Sequence, residues 1–192
     1  MPVASRPVAP WVLLPLFAAW PVLAGADSFR VETFAIHGAT AQELRADLSR
    51  LGPVGDTGIR GDAYTEYRIG WKFSMTFKDR SCRADRAAVE LDVTMYLPGW
   101  VPPDGVDAQL IATWDRFSEV LREHEEGHHR LAIAAAEEVR RRLRARVRAA
   151  SCEGLRKKLD DTVNQVLRDY REKQQDYDRD TDYGREQGAN IL

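Results

Sequence analysis

The chain is poor in the residues that usually announce a metal scaffold or a disulfide-dense domain. Among 192 residues there are two cysteines, four histidines and three methionines. Two cysteines, Cys82 and Cys152, are too few and too far apart for a zinc ribbon. Neither sign of charge prevails, with 28 Lys and Arg against 30 Asp and Glu. That near-balance argues against bulk nucleic-acid binding. No internal repeat is present, and no stretch beyond the first two dozen residues approaches a membrane-spanning helix.

What is present begins with a leader-like segment. Arg6 supplies a positive start, and Trp11 to Trp20 form an apolar run too short to span a bilayer comfortably. Ala24-Gly25-Ala26 has the small-x-small form of a signal peptidase site. Residues 1–26 are therefore expected to be a signal peptide cleaved before Asp27, the rival reading being an uncleaved anchor. Cleavage would remove one Arg and no acid, moving the formal net charge of −2 one unit more negative. Residues 27–192 suit one domain with one core, periplasmic or secreted, without stable membrane insertion. In an oxidising compartment Cys82 and Cys152 are expected to pair.

The periodicity divides this segment into strands first and helices after. Phe29 to Ile36 reads as a strand. Thr40 and Glu43 have the spacing of a capping box for a short helix carrying Leu44, Leu48 and Leu51, which Gly52-Pro53 ends. Ala63 to Phe77 reads as a long strand or a pair. Val89, Leu91, Val93 and Met95 alternate with polar residues, which predicts a half-buried strand. Leu97 to Pro103 reads as a rigid connector. From Asp107 an apolar stripe runs at three- and four-residue steps through Leu110, Trp114, Phe117, Leu121, His124, His128 and onward to Val147. After Ser151 to Gly154 a second helical pattern carries Leu155 to Tyr170. Gln174 to Leu192 is polar and Asp-rich, without a clear period. The fold class expected is α+β, a small antiparallel sheet followed by long helices, with one disulfide. Trp71, Trp100 and Trp114 are read as core.

His124-Glu125-Glu126-Gly127-His128 carries the chemistry. Residues four apart on a helix lie one above the other, so both imidazoles can face one zinc ion. Glu125 is turned about 100° from His124, within reach of a metal-bound water as its general base. Two histidines on an apolar stripe are costly to bury without a partner. Gly127 costs about 1 kcal/mol in helix propensity and leaves room for close approach by another segment. The competing reading is a pair of core histidines satisfied by hydrogen bonds. His129 points elsewhere, as a second layer or surface residue, and His37 is either unrelated or a distant ligand. Glu137 and Glu138 lie more than two turns along the same helix, too far to share the ion.

A catalytic zinc needs a third protein ligand and an open position. The reservoir nearest in character is Tyr177 to Gly184, which offers acids for ligation and the Tyr177 and Tyr183 hydroxyls for an oxyanion. The alternative is a solvated C-terminal segment. Arg140 to Arg148 is a basic run, read either as an ordinary charged helix end or as a contact for an anionic membrane surface or polymer.

The chain resembles a bacterial family of predicted secreted zinc-dependent proteases, zincin-like in motif and classed as a domain of unknown function. The resemblance spans nearly all of residues 27–192. It rests on Gly38 with Glu43-Leu44 and Gly52-Pro53, on Thr65 and Trp71, Cys82, Leu97-Pro98, Trp100, Trp114 and Phe117. It rests further on His124-Glu125-x-Gly127-His128, on Cys152, and on Tyr177-Asp178-x-x-Thr181 with Gly184 and Gln187-Gly188-Ala189. The resemblance implies that the tail motif is functional and raises Asp178 as the third ligand. One departure is Tyr183, where the family pattern has His before the glycine. Asp180, three residues before Tyr183-Gly184, matches the aspartate-ligand zincins, so Asp178, Asp180 and position 183 compete. The function so implied is hydrolysis of a peptide or protein substrate with Zn2+ as cofactor, by analogy with an extended peptide along the edge of the Val89–Met95 strand. A zinc-binding envelope protein without turnover, or a metal-free binding module, would be the other classes.

Overall fold

A computed structural model of the chain describes residues 27–55, 58–144 and 147–192. The leader expected over residues 1–26 and part of the basic run lie outside these. The elements are β1 (Ser28–Ile36), α1 (Ala41–Leu51), β2 (Tyr64–Lys78), β3 (Ser81–Trp100), α2 (Ala108–Leu143), β4 (Arg148–Ala149) and α3 (Cys152–Asp180), closed by a short 3-10 turn at Arg185–Gln187.

The fold is α+β, with one departure in the sheet. β2 and β3 form a long antiparallel hairpin, but β1 pairs with β3 in parallel, giving a mixed sheet of order β1-β3-β2 with β4 added to the start of β3. The crossover through α1 explains the direction of β1. α1 is capped as its sequence predicts: Thr40 Oγ1 accepts from the Glu43 N–H, and the Glu43 carboxylate accepts from the Ala39 N–H. Its buried Leu44 and Leu48 pack beside Ile36 at the end of β1. The chain then re-enters the sheet on the far side, and the hairpin brings β3 back between β1 and β2. Asp79 and Arg80 make the hairpin turn, both at positive φ, which matches the right-handed twist of the flanking strands.

β3 is longer than its alternating segment, because Leu97 to Trp100 continues the strand rather than forming a connector. Pro98 is tolerated because the last rung with β2 is Tyr64–Tyr96; beyond it β3 is bordered by β1 alone. Val89, Leu91, Val93, Met95 and Leu97 are buried. Against Leu91 and Val93 lie Ala132 and Ala136 of α2, small enough to bring the helix close to the sheet. α3 packs back along α2, Leu155 meeting Leu143 near one end while Gln174 and Asp178 meet His128 near the other. The helical pattern does not stop at Tyr170: α3 runs to Asp180, so the first part of the polar tail is helix. Ala189 and Ile191 are buried with Trp114 and Phe117. No helix among the described residues is long and apolar enough to cross a membrane.

Cys82 and Cys152 are disulfide-bonded with Cα atoms 5.0 Å apart, tying the start of β3 to the first residue of α3. The bond closes a sequence separation of 70 residues. Chain entropy alone makes such a closure worth roughly 4 kcal/mol. A Cys82→Ser/Cys152→Ser variant should lose about that much in urea unfolding, with the α3 amides exchanging faster than those of β3. A loss below about 1 kcal/mol would show that the unfolded chain gains little freedom when the bond is absent.

Candidate metal centre

The centre lies where α2 and α3 run side by side. His124 and His128 stand one turn apart on the buried side of α2, and Asp178 enters from the last turn of α3. His128 Nε2 is 3.2 Å from His124 Nε2 and 2.9 Å from Asp178 Oδ1, and His124 Nε2 is 3.3 Å from the same oxygen. These are the only three acid, histidine or cysteine side chains among the described residues that converge in this way.

The outward nitrogens fix the tautomers. His128 Nδ1 is 2.5 Å from Gln174 Oε1, while Gln174 Nε2 donates to the His128 carbonyl, which settles the amide's orientation. His124 Nδ1 is 3.0 Å from Gln187 Oε1, and Gln187 Nε2 donates to the Tyr177 hydroxyl. Facing a carbonyl oxygen, each Nδ1 must carry the proton. When both rings are neutral, the two Nε2 atoms present lone pairs to one another and to a carboxylate. Three acceptors about 3 Å apart repel unless a cation lies among them. A tetrahedral zinc with bonds of about 2.0–2.1 Å sets its ligand atoms about 3.3 Å apart, so the donor set fits that ion in type and in spacing. Without a metal, a proton on His128 is the other way to relieve the repulsion. Burial opposes that proton, but the Asp178 hydrogen bond, the Glu125 and Asp178 charges and Gln174 together prevail, and the His128 pKa is raised. Burial likewise works against the Asp178 charge, and when the two imidazoles carry a proton on Nε2 their hydrogen bonds overcome it, bringing its pKa down to about 2.

Glu125 is buried, 4% exposed, and accepts the Thr65 hydroxyl of β2 at 2.7 Å. Burial pushes its pKa up, partly offset by His128 and by the Thr65 hydrogen bond. Tyr177 lies over the centre, its ring stacked on His124 at 4.9 Å and edge-on to His128 at 5.1 Å. Gly127 makes this possible: a Cβ there would stand 2.2 Å from the Tyr177 hydroxyl oxygen. Thr181 Oγ1 donates to the Tyr177 carbonyl and lies 3.4 Å from His124 Nδ1. Gly184, at φ 83°, passes behind the His124 ring, where an added Cβ would be 3.3 Å away.

The structure thus brings together His124, His128, Asp178, Glu125 and Tyr177. Asp180 is exposed and outside the cluster. Tyr183 is 65% exposed, and its backbone N–H donates to the Asp178 carbonyl, so it flanks the centre through main chain. His129 stacks on Phe29 at 4.3 Å, and the His37 side chain is exposed beside Asp47. The expected peptide edge is occupied: residues 92–95 of β3 have β1 on one side and β2 on the other. The supporting residues Thr65, Thr181 and Gln187 belonged to the resembling pattern without a role attached. Gln174 gave no signal, being a glutamine in a polar helical stretch.

Gly127→Ala should make two quantities move in opposition to helix propensity. Alanine would favour the isolated helix by about 1 kcal/mol. The contact with Tyr177 should instead lower the melting temperature and, if the cluster takes the zinc it fits, weaken that binding in a competitive chelator titration. A variant more stable than the parent with undiminished zinc affinity would show that the close approach of Tyr177 is dispensable.

No curated protein and no solved structure matches the chain. The family model described as a bacterial protein of unknown function (DUF922) matches residues 31–185, more than half of the chain, and the chain belongs to that family.

Proposed function

We propose that the protein is a zinc-dependent metallopeptidase acting outside the cytoplasm, with His124, His128 and Asp178 as the metal ligands and Glu125 as general base. The observation that carries this reading is the convergence of two imidazole lone pairs and a carboxylate, each imidazole held in the required tautomer by a glutamine. When bound, zinc would supply a lowered pKa to a water in its open fourth position and polarise a carbonyl set beside it.

The chain's own groups divide the remaining work. Gln174 and Gln187 orient the imidazoles. Tyr177 shields His124 from solvent. Thr65 holds one carboxylate oxygen of Glu125, one residue and about 100° round α2 from His124. Glu125 accepts the proton of the attacking water and passes it to the departing amine, so the peptide nitrogen leaves neutral and the carboxylate is regenerated. Tyr177 is engaged against Gly127 and Gln187, which leaves the exposed Tyr183 as the candidate donor to the oxyanion. An extended substrate has the outer borders of the sheet to lie against, and β2 is the border strand whose Thr65 reaches Glu125. Export is supported by the disulfide, a bond that persists in oxidising compartments.

Purified protein should carry one zinc per chain by elemental analysis, and Asp178→Ala should lose it. Glu125→Gln should keep the metal while cleavage of fluorescent casein falls at least about a hundredfold, the usual worth of a positioned base. Full zinc occupancy with no cleavage by the parent protein would favour a zinc-binding protein without turnover. Undiminished cleavage by Glu125→Gln would remove Glu125 from the mechanism.

A further inference from the structure

The end of the molecule remote from the metal centre has a different surface. Trp71, Phe73 and Met75 of β2 are half-buried against the α3 side of the core. The same face continues one step further to Phe77, which is 60% exposed and pairs with Cys82 beside the disulfide. Phe77 lies at the hairpin tip next to exposed Lys78 and Arg80. β4 brings Arg148 against Arg83 of β3, and the disulfide brings in the first turns of α3, where Arg156 lies 5.2 Å above the Phe73 ring and Lys158 is exposed. Lys78, Arg80, Arg148, Arg156 and Lys158 have no carboxylate within ion-pair distance among the described residues. The acids at this end are Asp79, Asp85, Glu153, Asp160 and Asp161; Arg83 holds Asp85, Lys157 pairs with Asp161, and Asp160 accepts the Trp71 N–H, so the exposed cations still outnumber them. At the other end of α3 the acids Asp176, Asp180, Asp182 and Glu186 outnumber Arg179 and Arg185, which pair with Asp176 and Asp182. A formal net charge of −2 therefore conceals a polarised molecule. The basic end and Asp178 are separated by most of α3, about 33 Å from Arg156 at 1.5 Å per residue.

We propose that this basic end is a docking surface for an anionic phospholipid bilayer, with Phe77 entering the interface and the surrounding cations resting on the headgroups. The cations supply the attraction, and the acidic opposite end is repelled, so the protein stands with its metal centre held away from the membrane. Phe77 is what distinguishes a bilayer from a soluble polyanion. An apolar ring set among cations gains from an acyl boundary and gains nothing from a hydrated polymer.

The test is co-sedimentation of the full, oxidised chain with vesicles of equal parts phosphatidylglycerol and phosphatidylethanolamine, against vesicles of phosphatidylcholine alone. Binding should occur only to the anionic vesicles and fade with added salt. At about fivefold per cation, Arg80→Ala/Lys158→Ala should weaken partitioning by about twenty-five-fold. Phe77→Ser should weaken it several-fold while leaving retention on soluble polyphosphate unchanged. Arg116→Ala, near the start of α2 and far from this end, should bind as the parent does. The proposal is overturned if the anionic vesicles do not retain the protein, or if Arg116→Ala weakens binding as much as the loss of Arg80 and Lys158. It is equally overturned if Phe77→Ser binds vesicles normally, which would assign the basic end to a soluble polyanion.

Discussion

Two imidazoles a turn apart, each with its proton turned outward onto a glutamine carbonyl, leave their lone pairs aimed at one point beside an aspartate. That mutual repulsion is the constraint around which the α2–α3 pair is arranged. It is relieved by a cation, or more weakly by a proton on His128. Everything near it keeps the acceptors in place rather than easing the conflict. Gln174 and Gln187 hold the outer nitrogens. Tyr177 lies flat on His124. Gly127 gives up a side chain so that Tyr177 can lie there. A core built only for stability would fill such a place with apolar groups, since burying polar ones gains little unless every partner is satisfied. That so many residues converge to preserve the tension is the physical ground for reading the cluster as a site rather than as packing.

The architecture divides the site between two helices secured in different ways. α2 is fixed along its length, with Trp114, Phe117 and Leu121 in one part of the core and Val139 and Leu143 in another. α3 is joined covalently at its first residue and delivers Asp178 almost at its last. Between those points Leu155, Leu159, Val163 and Val166 keep it in register against α2 and the sheet. The disulfide thus acts on the site at a distance, by limiting how α3 can slide or rotate.

Much of this was legible in the residues. The period of two in Val89 to Met95 and the three- and four-residue steps from Leu110 identify strand and helix because each buries a single face. His124, Glu125 and His128 could be placed on one helical turn from spacing alone. The vacancy at Gly127 pointed to a close neighbour without naming it. Other features depended on tertiary partners. β1 runs parallel to β3, and nothing within Phe29 to Ile36 specifies direction, since that is decided by the crossover through α1. Pro98 inside a strand is intelligible only once β2 is seen to end at Tyr64. The tail from Gln174 has no apolar period because its helical turns face a polar centre instead of a core, so the signal that marks a helix elsewhere is absent there. Asp178 could be favoured over Asp180 from a resemblance, but from physics only by finding which one α3 turns toward His128.

The order of these parts along the chain has a consequence for assembly. Both imidazoles lie in α2, yet the carboxylate at 178 comes only in the last turn of α3, and the glutamine that orients His124 follows that helix. A chain emerging from a ribosome, or threading an export channel from its N-terminal side, therefore exposes an incomplete pair of ligands until its final segments arrive. On the proposed metal reading, high-affinity loading would be deferred to the moment the C-terminal turn docks, which would tie acquisition of the ion to completion of the fold and to the compartment in which that last step takes place.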